Sequence, residues 1–371
     1  MKLPLLCIKL LAATVLLASQ AYAAPYHFTT LGTPQAVGSG ADAINNAGQV
    51  AGYGDVPGSL GGRYGQLWDN GIPTALATLP GERFNSAQAI NNRGVAVGSS
   101  TDDDVRLSYF NAVGWHSPTA AATIFSGGSH AFGINDLGQV VGASGKGLFT
   151  RATLWSGSSS TDLGSITGSY SIARAINNSG QVVGESTIGH DLDGPTHAAL
   201  WFGGAVTDLG TLGGTQSGAA DIDAYGHVVG WSEVVGSSGR HAALWSGGTV
   251  TALASFGGPY NEGEAKAINN AGLVVGFATG GGGSRAALWK DGTAIDLNSF
   301  LDAGAVAAGW VLTTANDIND HGWIVGNAYN AHLNLESGYV LAPVPEPETY
   351  AMLVIGLGLL GWLARRRRAD R

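Results

Sequence analysis

The chain has 371 residues, of which 59 are glycine, a share of about 16 % against the usual ~7 %. Hydrophobic residues make up 44 %, charged residues only 12 %, and the formal net charge is −9. This composition excludes a disordered polyampholyte and a long-helix protein, and the negative charge argues against a nucleic-acid partner. Glycine at this level without a three-residue period predicts many tight turns between short strands.

Residues 1–23 open with Lys2 and Lys9, continue through the apolar stretch Leu10 to Leu17, and end in Ala21-Tyr22-Ala23. That order is a secretory signal peptide with a small-residue cleavage site, and the apolar stretch is too short to span a membrane. The one cysteine, Cys7, lies inside it. The mature chain is therefore expected to carry no disulfide, thiol nucleophile or thiolate metal site.

Residues 24–343 are an internal repeat. Seven copies share Ala, two residues, Ile, then Asn or Asp, with glycine four and eight residues after the Ile. The isoleucines are Ile44, Ile90, Ile134, Ile176, Ile222, Ile268 and Ile318, spaced 42 to 50 residues apart. Ala-x-x-Ile predicts a short strand, and Asn-x-Gly, as in Asn46-Ala47-Gly48, a hairpin turn in which asparagine bonds its own backbone. A valine-rich second strand follows, then a third ending in Trp68, Trp115, Trp155, Trp201, Trp245 or Trp289, with Tyr339 in the last copy. A fourth is marked by Leu76, Ile124, Leu163, Leu209, Leu253 or Leu297. Four short strands in a unit of this length make a propeller blade. The seventh copy stops after its third strand, and His27 to Gly32 supplies the missing fourth from the other terminus. The expected fold class is thus all-β: a seven-bladed β-propeller of four-stranded blades, closed by the N-terminal strand and followed by a C-terminal transmembrane helix. The repeated alanines are expected near the axis, where only small side chains fit, and the tryptophans between blades.

One copy, His130-Ala131-Phe132-Gly133-Ile134-Asn135-Asp136-Leu137-Gly138-Gln139-Val140-Val141-Gly142, resembles the HAF repeat of extracellular bacterial proteins. The other copies match its Ile-Asn-x-x-Gly-x-Val-x-Gly part without the leading His-Ala-Phe, save that the copy at Ile222 has Asp223 for Asn and the copies at Ile90 and Ile318 have Ala96 and Ile324 for Val. The resemblance implies export and repetition, and brings no catalytic residues.

Residues 344–371 hold Pro345-Glu346-Pro347 within a motif at 344–349, an apolar segment at 350–364 and a basic tail at 365–371 that opens with Arg365, Arg366, Arg367 and Arg368. The apolar segment is short for a spanning helix, and the arginines should remain cytoplasmic. The three parts in this order resemble the PEP-CTERM sorting signal. That resemblance implies transient anchoring in the inner membrane of a Gram-negative bacterium, recognition by a membrane-embedded exosortase and cleavage near the motif. Release to the cell surface or an exopolysaccharide matrix follows.

Local catalytic spacings are missing: the chain has no H-E-x-x-H, P-loop, G-x-S-x-G or C-x-x-C. His197 and His241 occupy a position that Arg151 and Arg285 fill in other copies, which reads as a polar rim and not as a metal ligand. Asp191 and Asp193 alternate before a turn glycine as weak calcium candidates, and Asp102 to Asp104 form an acidic loop. Glu262 and Glu264 are a carboxylate pair of the kind a glycosidase uses, at a separation that sequence does not fix. Trp231, Trp310 and Trp323 lie outside the regular Trp position and are candidates for stacking on sugars, with core packing as the competing role. The resulting expectation is an exported surface or matrix protein whose propeller is a non-catalytic binding or scaffold module, without a cofactor. Its expected partners are an exosortase-type enzyme and exopolysaccharide or other surface glycans. A polysaccharide lyase or hydrolase with a site in the channel, and a calcium-dependent adhesin, are the alternatives.

Overall fold

The computed structural model describes residues 26–344 apart from 33–37, 59–61, 103–109, 126, 146–148, 190–193, 238 and 258–261. The signal peptide, Asp191 and Asp193, and the whole tail from Pro345 through Arg371 lie outside the described residues. Among the described residues no helix is long and apolar enough to cross a membrane.

Seven four-stranded antiparallel sheets form the propeller. In blade 1 the strands run from the axis outward as Ser39–Ile44, Val50–Asp55, Arg63–Asp69 and Ile72–Ala75. Blade 7 is built from Trp310–Ile318, Ile324–Asn330 and Leu335–Pro343, and its outermost strand is Tyr26–Leu31. That strand runs antiparallel to the last one, from Tyr26 opposite Pro343 to Leu31 opposite Gly338. The first and last strands of the domain therefore share a sheet, and opening the ring requires breaking a strand ladder.

Each blade boundary is a dry core. Trp68 of blade 1 packs with Leu31 and Val325 of blade 7, and Trp115 of blade 2 with Ala51 and Leu67 of blade 1. Trp155, Trp201, Trp245, Trp289 and Tyr339 repeat the arrangement around the ring, each against valine and alanine of the preceding blade. The Trp68 indole donates to the Gly32 carbonyl just after the N-terminal strand (2.9 Å). Trp115 donates in the same way to Ala77, just after the outer strand of blade 1 (2.8 Å). The N-terminal strand thus takes over the bonding role of a chain-internal fourth strand. In blade 2 the expected marker Ile124 is 56 % exposed, and Phe125 takes its place. The Phe125 N–H reaches Ala112 as the Leu76 N–H reaches Gly65, in the same register, because the connection from Trp115 to the outer strand is two residues longer than that from Trp68.

The two repeated glycines have different causes. The first, as at Gly48 and Gly180, has φ of +80° in the turn, a conformation that L side chains avoid. The second, as at Gly184, has no such backbone. A Cβ there would collide with the Ile172 carbonyl of the innermost strand, and the equivalent glycine of every other blade meets the same obstacle. The close approach accompanies a bulge. In blade 1, Ala41 faces Gly52 and Ala43 faces Ala51, so Asp42 is an extra residue with no partner across the ladder. The same register shift falls at the same place in all seven blades. The repeated alanines lie on the innermost strands as expected, but their methyl groups are buried between blades. The following, bulged residue is the one that reaches the channel.

Candidate functional site: the wide end of the central channel

The channel has two dissimilar ends. At the narrow end sit the seven turns that follow the isoleucines. Within each turn the Asn (or Asp223) side-chain oxygen accepts from the backbone two residues on, as Asn45 does from the Ala47 N–H (3.1 Å). The amide NH2 reaches the next blade. Asn45 donates to the Asn91 carbonyl, Asn91 to Asn135, and so on, giving six inter-blade bonds of 3.0–3.1 Å.

Asp223 has no N–H to donate, so the junction between blades 5 and 6 lacks this bond. There the buried Asp221 carboxylate accepts from the Ile268 N–H of blade 6 (2.9 Å). Asp317 makes the matching bond to Ile44 across the closing seam (2.8 Å). Burial pushes Asp221 up to about 7, with the Asp317 carboxylate adding to the rise, and pushes Asp317 up to about 6; the backbone N–H bonds oppose this. Asp223 also has a local compensation. In three other blades the amide donates to a glutamine four residues on, as Asn177 does to Gln181 (2.7 Å), whereas Asp223 pairs with the His227 Nδ1 (2.7 Å).

An outer ring repeats the logic. Asp136 accepts from the amides of Asn92 and Asn178 (3.0 and 3.1 Å), and Asp320 from those of Asn46 and Asn270 (3.0 and 3.1 Å). Burial would raise both acids, but the donated N–H bonds outweigh it and hold them below the usual carboxylate range.

The other end opens into a cavity of about 560 Å³, within the range of small-molecule sites. Below it the channel tapers to about 200 Å³ and then to about 190 Å³ at the asparagine ring. The bulged residues at its wall are Asp42, Gln88, Phe132, Arg174, Ala220, Lys266 and Asn316, one per blade and no two alike. The residue after the second glycine adds Tyr53, Glu185, Trp231 and Asn327 from the second strands. Residues 24–343 contain 11 Lys and Arg and 24 Asp and Glu. Four of those 11 cations, Arg63, Arg174, Arg240 and Lys266, converge on this one cavity.

The arginines are held in place. Arg63 stacks 3.7 Å over Tyr53, Arg240 4.0 Å over Trp231, and Arg174 4.8 Å over Phe132. Arg174 is also paired with Glu185 (2.8 Å) and Arg240 with Glu264 (3.4 Å). His130 stacks on Phe132 (5.5 Å), and burial, with Arg174 nearby, lowers its pKa. Among the described residues Lys266 carries no ion pair. Asp42 Oδ2 is shielded from solvent and has no hydrogen-bond partner. Burial pushes its carboxyl up to about 6 against the opposing pull of Arg63 and Lys266.

Residues 343–368 match the PEP-CTERM protein-sorting motif. That motif implies export, sorting at the membrane and processing by an exosortase-type enzyme. No curated protein matches the chain. Among solved structures it is similar to TolB from Acinetobacter baumannii, with a TM-score of 0.45 and 13 % identity over 83 % of this chain and 64 % of that one. The chain thus spans less than two thirds of that structure's length.

Of the residues singled out from sequence, Trp231 and Glu264 line the wide mouth. Glu262 does not join them and sits beside Gly239. Trp310 packs against Phe28 (6.1 Å), and Trp323 lies at the turn face beside Gly48. His197 pairs with Asp208 (2.9 Å), as Arg151 does with Asp162 (3.2 Å) and Arg285 with Asp296 (2.6 Å), which is the polar rim read from the repeat. Pro345, Glu346, Pro347 and the arginine block fall within the matched motif but outside the described residues. Sequence reading missed Asp42, Arg174 and Lys266. The signal was present: between an unvarying Ala and an unvarying Ile, the residue after the Ala differs in every copy.

Proposed function

We propose that this is an exported surface or matrix protein of the HAF-repeat kind, whose propeller is a non-catalytic module that binds its ligand in the wide mouth of the channel. The observation that carries the reading is the contrast within one strand. Ala and Ile are unvarying and buried, while the bulged residue between them is different in all seven blades and faces the cavity. The bulge frees this position from the demands of the ladder, so its side chains are available to a ligand. The apolar segment at 350–364 would hold the chain in the inner membrane until an exosortase cuts near Pro345-Glu346-Pro347, leaving the propeller at the surface. Surface glycans fit the mouth's mixture of stacked aromatics, amides and charges. The test is a glycan array and the host's own exopolysaccharide, probed with the protein and with its Trp231→Ala variant. Binding that the substitution removes supports the reading, and binding that it leaves intact places the ligand elsewhere.

One observation favours a second reading. Asp42 combines an unpartnered oxygen with a carboxyl raised to about 6, the state of a general acid in a polysaccharide-active enzyme. Release of reducing ends in the same wells, lost in Asp42→Asn, would replace the non-catalytic reading with this one.

A further inference from the structure

The ring of bulged side chains leaves one place unfilled. In blade order the ring runs through Phe132, Arg174, Ala220, Lys266 and Asn316, so the smallest member stands between two cations. The second strand behind Ala220 carries Trp231, which is held from outside by Arg240 and has its indole edge beside Gly218. A side chain at Gly218 would strike that indole, so the ring and the backbone beside it are in close contact. Across the axis, blade 1 presents Asp42, whose buried Oδ2 accepts no hydrogen bond. A buried acceptor without a donor is costly, and a turn of the carboxyl group toward the cavity would let a ligand hydroxyl relieve it. The gap is thus bounded by two cations, an aromatic wall and an acceptor in search of O–H.

Resting on the reading of the mouth as a binding site, we propose that it takes an acidic saccharide. The carboxylate lies between Arg174 and Lys266 above Ala220, the sugar meets the small exposed part of Trp231, which is 8 % accessible, and a hydroxyl donates to Asp42. The Glu185 pairing leaves Arg174 with further N–H groups to donate, because a guanidinium has five. Lys266 supplies the unpaired charge. The surrounding acids work as a filter. Glu185 and Glu264 are each committed to an arginine and repel anions that do not fit the gap.

The test is calorimetric titration of the full-length chain in detergent with glucuronate and galacturonate. Glucose and galactose serve as the neutral counterparts, and inorganic phosphate and tetraglutamate as anions without a sugar ring. The uronates should bind at least about tenfold more tightly than every other probe, since a hydrogen-bonded charge is worth that much. Lys266→Gln should erase the preference. Ala220→Leu should abolish binding with the melting temperature unchanged, because Gln88 and Phe132 show that the same bulge accommodates large side chains. Equal binding of neutral and acidic sugars overturns the inference while leaving the mouth a glycan site. Equal binding of phosphate or tetraglutamate overturns the saccharide assignment. If no probe binds while the glycan array is positive and sensitive to Trp231→Ala, this inference falls and the reading of the mouth stands. If neither shows binding, both fall.

Discussion

The two ends of the channel are made by the same strands and could hardly differ more. The narrow end is a repeated solution, with one residue type, one turn and one inter-blade bond used in six of seven junctions. The wide end uses seven different residues at one repeated position. The contrast separates what holds the ring together from what the ring presents. At the narrow end each side chain must satisfy its neighbour, so a change in one blade calls for compensation nearby. At the wide end the bulge lifts the residue out of the ladder, so substitutions cost the fold little.

This contrast can be broken most forcefully at the bulge. Gly184→Val should destabilise the protein by about 3 kcal/mol or more, since the new side chain meets the Ile172 carbonyl and backbone cannot give way as a side-chain tip can. Chemical denaturation would measure it, and a near-neutral result would refute the steric account of the repeated glycine. At the narrow end, Asn177→Ala removes the donation to Asp223 and the turn bond to Ser179, with an expected loss of about 1–3 kcal/mol. The sharper experiment is the swap at blade 5. Asp223→Asn with His227→Gln rebuilds the Asn–Gln pair of three other copies and should be less destabilising than Asp223→Asn alone; additive effects in the double-mutant cycle would deny the coupling.

Acidity tests the seam between the ends. Asp221, Asp317 and Asp42 all have carboxyls raised above the ordinary carboxylate value, to about 7, 6 and 6. A raised folded value means that the native state binds more protons than the unfolded chain between pH of about 4 and 7, so the contribution of these groups falls as pH rises through that window. The protein should melt at a higher temperature at pH 5 than at pH 8 by an amount that shrinks in Asp221→Ala, the residue type that four other blades carry there. An unchanged slope in that variant would remove Asp221 from the account. The smallest effect is expected on the rim, where His197→Ala breaks a part-exposed pair with Asp208 and should cost less than about 1 kcal/mol. A loss several times larger would mean that the rim pairs are part of the blade core.

Much of the scaffold was legible because repetition turns weak local signals into strong ones. A lone Ile followed by a turn glycine is ordinary, but seven Ala-x-x-Ile units, each with glycine four and eight residues after the Ile at 42 to 50 residue intervals, fix blade number, and the truncated seventh copy fixes closure by His27 to Gly32. The Ile124 marker failed because the connection after Trp115 is two residues longer than in blade 1, so the same register brings Phe125 and not Ile124 into the inter-blade core. The Asp223 departure stood in plain view together with its remedy, His227 in the place of Gln49, Gln139 and Gln181.

What the sequence determined by itself is the number, order and closure of the blades, because these depend on periodic backbone requirements that particular residue types announce locally. Glycine marks a positive φ or a close approach, and tryptophan a deep inter-blade cleft. What only the tertiary structure decided is the site. Asp42, Arg174, Ala220 and Lys266 are separated by up to 224 residues and carry no common motif. They become neighbours because a bulge in each blade turns one residue toward a shared axis, and convergence on an axis is a property of the closed ring, absent from any of its segments.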